Sequence, residues 1–150
     1  MNSVIIAGDL VPIGRVTKLF DDNRFAEVLD DVRSVTKDCD FSIVNLEAPV
    51  VLSKDCKPIK KAGPNLKTNY AAIEAIKYAG FDAVTLANNH FRDYGNKGCE
   101  DTFGALLNNQ IKYVGGGIND VDAQSILYQQ LNCDGGGCVP SLIVAKMSIV

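Results

Sequence analysis

Short apolar runs alternate along this chain with stretches in which apolar residues recur every three or four positions, and the two periods predict strands separated by helices. Val4–Ala7 is a branched apolar run closed by Gly8-Asp9, the pattern of a buried strand. From Arg24 to about Thr36, Phe25, Val28, Leu29 and Val32 fall at helical spacing, while Glu27, Asp30 and Asp31 fall on the outward face. Phe41–Asn45 reads as a second strand. The polar stretch Leu52–Asn65 holds Pro58, Gly63 and Pro64 and reads as a loop.

The clearest helix signal follows. Thr68 or Asn69 can cap it, because either side-chain oxygen can accept from the first unpaired amides. Tyr70, Ile73 and Ile76 form its apolar stripe, and Gly80 suits the left-handed conformation that ends a helix. Phe81–Ala87 predicts a third strand, Lys97–Asn109 a helix carrying Phe103, Leu106 and Leu107, and Tyr113-Val114 a short fourth strand running into Gly115-Gly116-Gly117. A weak helix covers Val121–Ser125. Strands separated by helices of this length imply βαβ units with mostly parallel strands, an α/β fold. No repeat or linker divides the chain.

Composition narrows the class. The chain has 150 residues, about one domain, with 47% hydrophobic and 22% charged residues, which excludes a disordered, collagen-like or coiled-coil chain. Its net charge of −3 argues against nucleic acid as a partner. No apolar run approaches the ~18 residues of a membrane span. The first residues lack the basic segment and apolar length of a signal peptide, so the expected location is cytoplasmic. Five cysteines without a Cys-x-x-Cys pair predict reduced, mostly buried thiols rather than a disulfide framework or a zinc knuckle.

Three predicted strands each end in a small polar cluster: Gly8-Asp9, Asn45-Leu46-Glu47 and Asn88-Asn89-His90. In an open α/β sheet the carboxyl ends of parallel strands converge on one edge, where ligands bind. Asp9, Glu47, Asn89 and His90 are therefore expected to meet, with Asn45 and Asn88 beside them as candidate substrate-binding residues. Two carboxylates, an amide oxygen and an imidazole suit Mn²⁺, Fe²⁺ or Zn²⁺. Each cluster also has a plainer reading: an Asx turn at Asp9, a solvated loop residue at Glu47, a cap or core hydrogen bond at His90. Gly115-Gly116-Gly117 with Asn119 could place amides around an anion, or simply form a turn before a helix.

Taken together, Gly8-Asp9, Phe41-Ser42-Ile43-Val44-Asn45-Leu46-Glu47-Ala48-Pro49, Ala87-Asn88-Asn89-His90 through Asp93 and Gly95, Asp101-Thr102 with Leu106, and Gly115-Gly116-Gly117 with Asn119 and Ala123 resemble, in order and spacing, the bacterial capsule-synthesis CapA group, also called the poly-γ-glutamate biosynthesis group. The resemblance implies the N-terminal portion of a metallophosphatase-like αββα sandwich of the calcineurin type. It implies Asp9 as the first-strand metal ligand, Glu47 in place of the carboxylate that bridges two metals, Asn89 as a second-metal ligand and His90 as general acid. It implies a role beside a capsule or polyglutamate synthesis machinery; the alternatives are an inactive remnant or a non-catalytic module that assists a polymer synthase. Two departures bear on activity. Asp9 is followed by Leu10-Val11 where the superfamily has Asp-x-His, and His90 is the only histidine.

Beyond Tyr128 the motifs stop. Asn132–Pro140 reads as loop and Ser141–Val150 as a segment with no partner element, where the resemblance implies a strand and a segment close to Glu-Asn-Glu-Tyr-Ser. The codons for Ala145–Val150 permit that segment in a shifted frame. The expectation is therefore a truncated family domain over 1–128 and an off-family, frame-shifted tail over 129–150.

Overall fold

The computed structural model describes residues 2–131 and the backbone of 140–143. Its elements are β1 (Val4–Leu10), α1 (Arg15–Asp21), α2 (Ala26–Thr36), β2 (Phe41–Leu46), α3 (Ala71–Ala79), β3 (Ala83–Thr85), α4 (Gly95–Asn108), β4 (Lys112–Val114), α5 (Asp120–Ala123), β5 (Leu127–Gln130) and β6 (Pro140–Ile143). β1 to β4 form one parallel sheet in chain order, and β5 pairs with β6 in a separate antiparallel pair. The fold is mixed α/β with a four-stranded parallel sheet, as the alternation of periods predicts.

Because the strands follow one another in chain order, every crossover steps the same way, and the usual right-handed sense puts the helices on one face. The core agrees. Val44, Leu46, Val84 and Leu86 point to the face where Phe20 of α1, Leu29 of α2, Ile73 and Ile76 of α3 and Leu106 of α4 pack in one buried cluster. The alternate residues Phe41, Ile43, Ala83 and Val114 form a smaller cluster with Leu127 and Leu131 on the other face. Val4 and Ile6, which pair with Phe41 and Ile43, lie outside that cover, and Ile6 is 77% exposed.

Several expectations need correction. β1 is an edge strand with one open face, not a buried strand. It also continues through Gly8-Asp9 to Leu10, because an irregularity between Ile6 and Asp9 lets pairing resume at Asp9↔Asn45. α1 was not predicted: it is two turns long and follows Gly14 at φ +62° with no side-chain cap. On α2, Leu29 is buried but Val28 is 38% exposed, so the buried stripe is narrower than its spacing implies. β3 keeps only the centre of the expected Phe81–Ala87 run. Pro140–Ile143 does have a partner, since it pairs with Leu127–Gln130.

Helix α3 ends as predicted, with Gly80 at φ +80° and its amide bonded to Lys77 O. At its start Asn69, not Thr68, supplies the side-chain oxygen, accepting from the Ala71 amide at 3.1 Å. Thr68 donates instead to Pro12 O. Cys39 and Cys56 are half-buried, Cys99 is buried, and all three are free; Cys133 and Cys138 lie outside the described residues, as do the rest of 132–139 and 144–150. Among the described residues no helix is long and apolar enough to cross a membrane.

Candidate functional site at the carboxyl edge of the sheet

Sheet register sets the site. Asp9, Asn45, Thr85 and Val114 are successive partners across the four strands, so they stand at one level near the carboxyl edge. A polar ladder runs along that edge. Asn45 Nδ2 donates to Asp9 Oδ1 at 2.7 Å, Asn88 Nδ2 donates to Asn45 Oδ1 at 3.1 Å and to Leu46 O at 2.9 Å, and Asn88 Oδ1 accepts from the His90 amide at 3.0 Å. The structure thus brings together Asp9, Asn45, Asn88 and His90. Asn88 is buried, and its oxygen and amide nitrogen are engaged in holding the three strand ends in register. Asn45 is half-buried and links Asp9 to Asn88.

The other two expected residues stand apart from this ladder. Glu47 is half-buried and Asn89 exposed, and neither side chain makes a hydrogen bond among the described residues. Gly115-Gly116-Gly117 serves packing: a Cβ on Gly115, at φ +76°, would sit 2.6 Å from Ala87 Cβ, so the ends of β3 and β4 approach only through glycine. Asn119 caps α5, accepting from the Asp122 amide at 2.9 Å.

Two residues carry more of the site than their sequence context announces. The turn after Asn89 brings the Asp93 amide to His90 O at 3.0 Å, and this folds His90 Nδ1 to 2.7 Å from Asp93 Oδ2. Asp93 is 1% exposed, and such a buried charge is costly unless fully partnered. Its partners are Lys61, the His90 ring and the Leu66 amide at 2.7 Å. Burial works against ionisation, but the hydrogen bonds from Lys61, His90 and Leu66 outweigh it and hold the carboxyl below its ordinary value. An ionised Asp93 can only accept, so Nδ1 carries a proton and Nε2 is the ring nitrogen outside this hydrogen bond. The Lys61 ammonium, 3.3 Å from Nδ1, faces a protonated nitrogen and gives its hydrogen bond to Asp93 instead. His90-x-x-Asp93 is a local signal that sequence reading could have given a role. Lys61 has none, because it arrives from the 51–67 segment.

The donor set does not fit the two-metal centre that the resemblance implies. Asp9 and Glu47 are its only carboxylates, Asn89 adds one amide oxygen, and His90, held by Asp93 at Nδ1, has Nε2 alone to offer. Among the described residues no group of three or more His, Cys, Asp or Glu side chains is placed to hold a metal ion. Two metals would need further ligands than these elements provide.

Fold and edge define a parallel α/β protein whose strand ends present a buried Asp–His pair beside unpaired oxygen donors. Comparison with known proteins narrows that class. The model of the bacterial capsule synthesis protein family PGA_cap matches residues 3–142, so the match continues past Tyr128. The chain belongs to this family. It is 36% identical over 134 residues to the capsule biosynthesis protein CapA of Bacillus anthracis, covering 87% of this chain and 32% of that protein. It is 30% identical over 131 residues to the PGA biosynthesis protein CapA of Bacillus subtilis strain 168, covering 87% and 34%. The chain spans about a third of the length of these relatives.

Proposed function

We propose that this chain acts in biosynthesis of an anionic capsule polymer, beside a polymer synthesis machinery in the cytoplasm, and that it contributes the acid–base part of a site at the strand edge. The observation that carries the chemical part is the buried Asp93 holding His90 through Nδ1 at 2.7 Å. With its orientation and tautomer fixed in this way, His90 can exchange a proton at Nε2 without first reorganising. Asp9, linked through Asn45 and Asn88 to the His90 main-chain amide, adds a carboxylate with one oxygen uncommitted at the same sheet edge. Because the donor set does not fit two metals, no metal-dependent hydrolysis is assigned to the chain by itself.

The incomplete ligand set also supports a second reading, a non-catalytic module that assists the polymer synthase. Replacing His90 by Asn at the chromosomal locus separates them. The acid–base reading expects loss of surface polymer with normal amounts of folded protein. Loss on gene disruption but not with His90→Asn supports the module. Polymer unchanged by gene disruption refutes both.

A further inference from the structure

Between residues 54 and 67 the chain concentrates five lysines against a single aspartate, with no arginine and no glutamate: Lys54, Asp55, Lys57, Lys60, Lys61 and Lys67. The local net charge is +4 in a chain whose net charge is −3, so the remaining residues together carry −7. A third of all the basic side chains therefore sit on one irregular strap.

The strap is fixed against the candidate site by two acidic side chains. Asp101 on α4 accepts from the Leu52 amide at 2.9 Å and from the Ser53 amide at 2.8 Å. Asp93, beside His90, accepts from the Leu66 amide and from Lys61, and its main-chain oxygen accepts from the Ile59 amide at 2.9 Å. Both carboxylates are used in anchoring the strap, and they neutralise only Lys61 of its five lysines; Asp101 pairs with Lys97 of its own helix. Lys67 lies over the Tyr94 ring. Lys54, Lys57 and Lys60, spaced every third residue, are exposed and make no ion pair among the described residues.

Like charges left unpaired on an anchored segment repel one another, and an anionic partner relieves that repulsion. The chemistry of the strap indicates which kind. Lysine is a mobile point charge, whereas guanidinium forks give the bidentate recognition typical of phosphate and nucleic-acid sites. An acidic remainder of the surface also disfavours a stiff, densely charged duplex that would extend past the strap. A flexible chain with single, spaced charges fits best.

We infer that the exposed lysines Lys54, Lys57 and Lys60 form a docking surface for a linear polycarboxylate, on a strap that the Asp93 and Asp101 anchors fix and that reaches His90 at Lys61. The inference rests on the capsule-polymer reading above and deepens it by naming where the polymer lies. One acidic group per monomer lets such a chain contact successive ammonium groups without a preformed pocket.

The test is fluorescence anisotropy with the complete 150-residue chain and a short fluorescein-labelled poly-γ-glutamate, from about 50 to 200 mM salt. Replacing Lys54, Lys57 and Lys60 together by Gln is expected to weaken binding at least about tenfold at the low-salt end and to reduce the salt slope by about two to three. The same exchange at Lys18, Lys37 and Lys77, exposed lysines on α1, after α2 and on α3, is expected to leave both nearly unchanged. All three lysines of the test set are exposed, so an unaltered thermal midpoint checks that the variant folds. Undetectable binding by the wild-type chain, equal losses from the two lysine sets, or tighter binding of polyphosphate or a single-stranded oligonucleotide would each overturn the inference. The readout involves no turnover. Polymer loss with His90→Asn alongside normal lysine-independent binding would sink the strap and leave the acid–base reading standing; strap binding with polymer unaffected by gene disruption would do the reverse.

Discussion

Replacing Asp93 by Asn probes the centre of the site with almost no change in shape. The carboxylate takes three donors: Lys61 at Oδ1, and the His90 ring and Leu66 amide at Oδ2. An amide offers one oxygen, and its NH₂ must face either the Lys61 ammonium or the pair of N–H groups on the other side. In both orientations buried donors confront donors, and Lys61, whose side chain is 21% exposed, loses its counter-charge. Breaking a buried ion pair from one side costs about 3–5 kcal/mol, a large share of the ~5–15 kcal/mol that stabilises a typical domain. For a chain of this length that corresponds to a fall in thermal midpoint of roughly 6–20 °C. Urea unfolding followed by circular dichroism at pH 7 measures it. A loss below about 1 kcal/mol would refute the reasoning, because it would show that water already solvates Asp93.

The same variant tests the pH dependence. A carboxyl held below its ordinary value stabilises the folded state above that value, near 3.8, and the contribution disappears as pH falls through the depressed folded-state value. Asp101 adds to the effect: burial opposes its ionisation, but the Ser53 and Leu52 amides and Lys97 outweigh it and lower its pKa. Wild-type stability should therefore fall with acidification below about pH 4. Asp93→Asn should show a shallower decline from its lower starting point, with the Asp101 part retained. A variant curve parallel to that of the wild type would show that Asp93 is not depressed.

Three further outcomes follow from single contacts. Gly80→Ala should cost more than about 1 kcal/mol in the same urea assay, since φ is +80° and the new Cβ would lie 3.2 Å from Thr36 Oγ1; a neutral result would mean that the end of α3 relaxes freely. Thr102→Val should cost about 1–3 kcal/mol, because Thr102 is fully buried and its hydroxyl accepts from the Val50 amide at 2.9 Å, which valine leaves unpaired. Millimolar Mn²⁺ should leave the thermal midpoint nearly unchanged. A bound metal at about a hundred times its dissociation constant would add about 2.7 kcal/mol, so a rise of several degrees would overturn the reading of Asp9, Glu47 and Asn89 as an insufficient set.

Period and punctuation carried most of the fold. Ile73 and Ile76 at helical spacing ahead of Gly80, and the apolar runs Ile43-Val44 and Ala83-Val84, report burial directly, and burial decides those elements. Where tertiary contacts decide instead, local pattern misleads. Gly8-Asp9 has the chemistry of a turn, yet the neighbouring strand recaptures it at Asn45. Val16 and Leu19 are packed only partly against the core, so α1 lacks a strong apolar stripe. In the site, the strand ends pointed to the edge where Asp9, Asn45 and Asn88 are linked, because parallel strands must finish on the same edge, but Glu47 and Asn89, expected there too, stand apart from that ladder. Bonds formed on assembly were not legible: Lys61 meets Asp93 across 32 residues, from a segment whose composition says only that it is a loop.

The site has two differently built halves, and energetics explains the contrast. Around His90 the Asp93 carboxylate is desolvated, so it must be satisfied locally before the chain can be stable; Lys61, Leu66 and His90 do that with residues already in hand. Glu47 and Asn89 keep enough contact with solvent for water to satisfy them, so nothing in folding forces protein partners upon them. An acid–base pair can thus be preorganised by this segment alone. A cation site at the same edge needs more donors than the described residues bring together. In the proposed reading this chain orients His90 for proton exchange, and the lysine strap holds the anionic polymer. The two devices share one anchor: Asp93 binds the imidazole and the strap at once.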